Sequence, residues 1–198
     1  MNRFSSISSR LLGDPGMSDP RFTVRRAIAK DAAELAHLGE VTFTETFGHL
    51  YPPADATAYI TSAFTERACL EKLADSRLAY WLAHAEGEPA VGFALAGYCK
   101  LPVPNLEPTA GELRQLYVRS EYQKQRLGTL LFDAAVDWLA ARYAPLYVGV
   151  WSENYGAQRF YGRHGFVKVG EYGFPVGKTV DREFILKRSS RTASTVKR

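Results

Sequence analysis

Apolar and polar positions follow two rhythms along this chain, and the switches between them mark its elements. From Phe22 to Ile28 the period is close to two, an imperfect strand. Asp31 stands where a helix cap is expected. Ala32, Leu35, Ala36, Leu38 and Val41 then recur at helical spacing, fading near Gly48. Pro52 and Pro53 punctuate the chain, and residues 54–64 and 66–74 read as two short helices. Residues 78–85 and 90–98 are apolar runs flanking Glu86-Gly87-Glu88-Pro89, which predicts a hairpin. Pro102, Pro104 and Pro108 mark a loop. A strand at 113–118 leads to a helix at 127–143, striped by Leu127, Leu130, Leu131, Ala134, Ala135, Trp138 and Leu139. A short buried strand at 146–150 and a helix at 154–163 follow, with Gly165 placed to end the helix. The last strands are expected at 166–169 and 183–186.

This order predicts an α/β (α+β) domain. Antiparallel strands come first and strand–helix–strand units follow, so one mixed sheet with helices on both faces is expected. The chain has 198 residues, enough for one domain with its own core. Residues 1–20 and 189–198 are Ser-rich and read as a disordered lead and tail. The domain is placed at 21–187, with a basic flexible tail at 188–198.

Charge changes the picture only after it is divided. The net charge is +4 and the pI near 9.1, which invites a nucleic-acid reading. Residues 187–198 alone carry +5, and residues 21–186 carry −1. The body therefore makes no case for nucleic-acid binding. No apolar run reaches the ~18 residues of a membrane span, and no secretory leader is evident, so a cytoplasmic protein is expected. Cys69 and Cys99 have no metal-ligand spacing and read as free thiols. None of the four histidines suggests a metal site.

Residues 113–131 carry the candidate chemistry. A buried strand enters a short polar loop and then an amphipathic helix. The first N–H groups of such a helix, with its dipole, form an anion site. Gly128 allows close approach of a ligand, and Gln123, Lys124, Gln125 and Arg126 add donors and charge. A plain solvated loop with a basic rim fits this local pattern equally well.

The stretch Tyr122-Gln-Lys-Gln-Arg-Leu-Gly-Thr-Leu-Leu resembles motif A of the GCN5-related N-acetyltransferases, the GNAT family. Gln123 and Gly128 match its Gln/Arg-x-x-Gly-x-Gly/Ala loop, whereas Arg126 replaces the usual first glycine. Residues 148–166 resemble motif B, with Asn154, Ala157, Phe160, Tyr161, Gly165 and Phe166 in register. Segments 42–47, 58–64 and 146–151 are similar to the PaiA-type branch, whose members acetylate spermidine and spermine.

The resemblance covers about residues 21–187 and implies a mostly antiparallel sheet of about seven strands. It implies acetyl-coenzyme A as co-substrate, bound by Leu116, Tyr117 and Val118, by the loop Gln123, Lys124, Gln125, Arg126, Leu127, Gly128 and Thr129, and by Asn154, Ala157 and Phe160. Asn154 serves equally as a helix cap. Tyr161 takes the general-acid position, and Glu112 aligns with a general-base glutamate, with Glu40, Glu45 and Glu153 as rivals. A small cationic amine is the implied acceptor, and Glu34, Glu40, Glu45, Asp55 and Glu66 are spread over the helices that line the acceptor cleft in the family. Members are often dimers, so a homodimer is among the expectations. Two other readings stay open: an enzyme acting on a protein or peptide amine, and a degenerate fold using its basic tail on nucleic acid.

Overall fold

The computed structural model describes residues 21–189. Its strands are β1 (Phe22–Arg26), β2 (Leu78–Ala85), β3 (Ala90–Tyr98), β4 (Gly111–Val118), β5 (Leu146–Trp151), β6 (Val167–Val176) and β7 (Thr179–Arg188). They form one open sheet in the order β1-β2-β3-β4-β5-β7-β6. Every neighbouring pair is antiparallel except β4 and β5. The helices are α1 (Ala32–Phe47), α2 (Pro53–Ala63), α3 (Glu66–Ala74), α4 (Leu127–Ala140) and α5 (Tyr155–Arg163).

Each face of the sheet has its own core. Leu127, Leu131, Phe132, Ala135 and Leu139 of α4 bury their stripe against β2, β3 and β4, and α5 adds Tyr161. A fully buried leucine contributes about 1.5–3 kcal/mol here. The other face buries Leu35, Leu38 and Phe43 of α1 with Phe64, Cys69, Leu82 and Phe93. The mixed sheet with helices on both faces is as the periodicity predicts.

Three details differ from the sequence reading. The last hairpin is far longer than expected, and β7 continues to Arg188. Its β6 strand is largely exposed and interrupted by Gly170, Gly173 and Pro175, so it lacks the apolar run that announces a strand. The 127–143 helix stops at Ala140, where the Arg142 and Tyr143 N–H groups both turn back to Leu139 O. Asp31 makes no side-chain cap on α1. Its carboxylate reaches upstream instead, accepting the Ile28 N–H at 2.8 Å and the Arg25 guanidinium at 2.7 and 3.0 Å. The expected lead at 1–20 and tail from 190 lie outside the described residues.

Asp31 is buried, and the Arg25 guanidinium holds its carboxyl at about 2. A lowered native pKa stabilises the fold above the unfolded value of ~3.9, and that contribution is lost as pH falls toward 2. Asp31→Asn should cost about 1–2 kcal/mol in urea unfolding at pH 7. The gap from wild type should close between about pH 4 and 2; a gap independent of pH would contradict the assignment.

Candidate active site

The site begins where β4 parts from β5. These parallel strands pair only at Gly111–Leu146 and Glu112–Tyr147. In the β3–β4 ladder Ala96 opposes Leu113 and Leu95 opposes Gln115, so Arg114 is an extra, unmatched residue. Such a bulge bends its strand, and this one falls just beyond the last β4–β5 pair. The Arg114 guanidinium stacks 4.3 Å over the Tyr98 ring and donates to Tyr98 O at 2.5 Å. From Leu113 to Val118 the side of β4 facing β5 is unpaired, and a cleft of about 460 Å³ opens between the two strands.

The phosphate-loop candidates lie at the β4 end of this cleft. Ser120–Tyr122 forms a short turn, pinned by the Glu45 carboxylate, which accepts the Ser120 N–H at 2.8 Å. Gln123 lines the cleft and donates to Val118 O at 3.1 Å. Gln125 donates to Glu121 O at 3.0 Å. Lys124 and Arg126 both have positive φ, 61° and 66°. Arg126 thus occupies a glycine-type conformation, which costs a non-glycine residue roughly 1–2 kcal/mol. The Thr129 and Leu130 N–H groups close on Arg126 O, while those of Leu127 and Gly128 have no hydrogen-bond partner among the described residues. A Cβ on Gly128 would meet only Val118 Cγ2, at 3.9 Å, so the space beside it is open.

Helix α5 forms the other wall. Asn154 caps it, accepting the Ala157 N–H at 3.0 Å. Asn154, Ala157 and Tyr161 line the cleft; Phe160 does not, packing 5.2 Å from Phe132. Tyr161 is 7% exposed. Burial, reinforced by the Glu183 charge, raises its pKa and keeps it a protonated donor.

The carboxylates of the cleft are only partly those the sequence singles out. Glu112 is buried and lines it, with burial raising its pKa. It accepts the Lys100 N–H at 2.7 Å and lies 3.9 Å from Arg114. Glu40 and Glu153 are exposed, and none of Glu34, Glu40, Glu45, Asp55 and Glu66 lines the cleft. Glu34 accepts the Ala90 N–H, and Asp55 ties α2 to the turn at Lys178 and Thr179. The acidic lining comes instead from Asp181 and Glu183 of β7, which sequence reasoning missed. Tyr172 donates to Glu183 at 2.5 Å, and Tyr51 donates to Asp181. Asp-x-Glu opposite Tyr-x-Phe across Gly177 was the available period-two signal.

A backbone edge able to receive amide groups, leading to unpaired N–H groups at a helix start beside an open glycine, fits the pantetheine arm and pyrophosphate of a coenzyme A thioester. The acetyltransferase (GNAT) family model matches residues 40–166, and the chain belongs to that family. It is accordingly an acetyl-coenzyme A-dependent N-acetyltransferase. An uncharacterized N-acetyltransferase from the pepI 3′ region of Lactobacillus delbrueckii subsp. lactis is 27% identical over 169 residues, covering 81% of this chain and 92% of the relative. The fold is shared with PaiA N-acetyltransferase of Thermoplasma acidophilum in complex with coenzyme A, with TM-score 0.69 and 17% identity over 88% of this chain and all of that one. The ribosomal-protein-S18-alanine N-acetyltransferase of Escherichia coli shares it at TM-score 0.59 and 18% identity, covering 89% of this chain and 99% of that one.

The open space at Gly128 yields a clean separation of folding from binding. Gly128→Ala should melt at or slightly above the wild-type temperature, since alanine favours a helix over glycine by about 1 kcal/mol. Its Kd for acetyl-coenzyme A, read by calorimetry, should rise about tenfold, or ~1.4 kcal/mol. Unchanged affinity would remove Gly128 from the binding surface.

Proposed function

We propose that the chain acetylates a primary amine of a small cationic acceptor, with polyamines such as spermidine and spermine as the fitting class. The observation that carries this reading is the convergence in one cleft of an unpaired strand edge, the Tyr161 phenol and buried carboxylates. Acetyl-coenzyme A supplies the acetyl thioester. Leu116, Tyr117 and Val118 hold its pantetheine arm through the free edge of β4, with Asn154 and Ala157 opposite. The loop from Gln123 to Thr129 takes the pyrophosphate, and the Arg126 guanidinium adds charge there.

An ammonium ion has no lone pair, so the acceptor must lose a proton before it attacks. Glu112 is buried and Glu183 half-buried in the cleft, and desolvation raises the pKa of both. Tyr161 donates to the departing sulfur. Holding amine and thioester together in this geometry supplies much of the acceleration. Aromatic rings from α1, α2, β4, β5 and β6 surround the acceptor side and favour an alkyl ammonium over a protein segment.

The full chain, supplied with acetyl-coenzyme A and a panel of amines, should release thiol with spermidine and yield a product heavier by one acetyl group. Tight coenzyme binding with no turnover on any amine would sink the reading. Tyr161→Phe should lower kcat by about a hundredfold while still binding acetyl-coenzyme A; an unaltered kcat would leave Tyr161 a packing residue. Because the base works ionised and its pKa is raised, kcat at saturating amine should climb with pH through a limb above the ordinary glutamate value of ~4.3. A limb at or below that value would exclude a buried carboxylate base.

A further inference from the structure

Asp181 and Glu183 lie two residues apart on β7, so their side chains share one face of the strand. The intervening Arg182 points to the other face, where it pairs with Glu171 at 2.8 Å. On the shared face the two carboxylates oppose Phe174 and Tyr172 of β6. The Glu183 carboxylate is poised over the β5 backbone, since a Cβ on Gly149 would stand 2.9 Å from its Oε2. It lines the same cavity as Tyr161, Tyr59 and Tyr117, and its charge raises the pKa of all three phenols.

Both carboxylates are held by phenols rather than by cations. Among the described residues neither forms a salt bridge, and the other charges acting on Glu183 are those of Asp181 and Glu112. The basic residues of the cleft, Lys72, Lys100 and Arg114, are engaged elsewhere. Lys72 donates to Ala63 O at 3.1 Å, Arg114 to Tyr98 O, and Lys100 lies 5.5 Å from the Tyr98 ring. Two half-buried anions without a counter-charge are costly until a cation joins them. The rings of Tyr51, Tyr59 and Phe174 beside them suit an ammonium group and its alkyl chain. Tyr161 lines the same cavity.

We propose that Asp181 and Glu183 form a two-point seat for a diamine, in which the amine on Glu183 is acetylated and Asp181 holds the second ammonium. This rests on the acetyltransferase reading and names its acceptor and base. Strand spacing puts the two seats about 7 Å apart, which suits nitrogens separated by on the order of four carbons. Glu183 is better placed than Glu112 to take the proton, because its partner is a neutral phenol, Tyr172, whereas Glu112 accepts the Lys100 N–H and lies 3.9 Å from the Arg114 cation. The ammonium gives one proton to Glu183, which passes it to water. The freed lone pair forms the C–N bond to the acetyl carbon as the C–S bond breaks, and the sulfur takes the Tyr161 proton. The second proton leaving nitrogen restores the phenol, so the products are an N-acetyl amine, free thiol and one proton in solution.

The test compares putrescine with butylamine on the full chain, by thiol release and by calorimetry on the coenzyme A-bound protein. Wild type should prefer putrescine in kcat/KM by at least about tenfold, or ~1.4 kcal/mol. Asp181→Asn should bring that ratio close to one, mostly through KM, and weaken putrescine binding. Glu183→Gln should lower kcat on both amines by about a hundredfold or more. Tyr51→Phe, which keeps the carboxylate but frees it, should reduce the preference only in part and stands in if Asp181→Asn does not fold. Turnover of both amines at equal efficiency, or a preference that survives Asp181→Asn, overturns the two-point seat and leaves the acetyltransferase reading intact. No turnover of any amine, with coenzyme bound, overturns both.

Discussion

The separation of β4 from β5 after two residue pairs is the constraint on which the rest of the molecule depends. A parallel pair that stayed zipped would give a continuous sheet with no vacant backbone at its centre. The unmatched Arg114 breaks the register at the point of departure, and its stacking on Tyr98 fixes the bend. The cost of leaving backbone groups unpaired in the middle of a sheet is comparable to losing several hydrogen bonds. A ligand that carries its own amides would restore those bonds, which is the reason for proposing the fault in the sheet as the coenzyme's seat.

The two cores hold the fault open. The Leu127–Leu139 stripe anchors α4 to β2, β3 and β4, so its first N–H groups stay beside the β4 edge. Helix α5 is set against the same core through Phe160, Phe132 and Tyr161, which delivers the Tyr161 phenol to the cleft. On the opposite face α1 and α2 bring Phe47 and Tyr59 against Trp151 of β5 and Phe174 of β6. The cleft is therefore edged by unpaired backbone along β4 and lined by aromatic and acidic side chains toward β6 and β7.

The elements around the β4 edge were legible in the sequence, and the acidic lining of the cleft from β7 was not. Strand–loop–helix at 113–131 is local, so its periodicity and its glycine announce it. Asn154 and Tyr161 fall in a second local motif. Glu183 and Asp181 are held in the cleft by Tyr172 and Tyr51, and Tyr51 is 130 residues from Asp181. Only the hairpin register brings Glu183 and Tyr172 together, and that hairpin is exposed enough to hide its own strand signal. Of the acidic residues that the sequence does advertise on α1 and α2, Glu34, Glu45 and Asp55 accept backbone N–H groups. Glu45 holds the turn at Ser120 and Asp55 the hairpin at Lys178, and neither lines the cleft. Arg126 shows the same limit from the other direction: its identity departs from the glycine pattern, yet its backbone keeps the glycine conformation.

Amide hydrogen exchange with and without coenzyme A tests the central claim most directly, because it reads the vacant edge itself. The account predicts new protection at β4 amides between Leu113 and Val118 and at Leu127 and Gly128, with no change at Gly111 and Glu112, where the strands are already paired. Protection confined to other segments, or none along β4 when coenzyme is bound, would contradict the claim that the opened sheet is the coenzyme's seat.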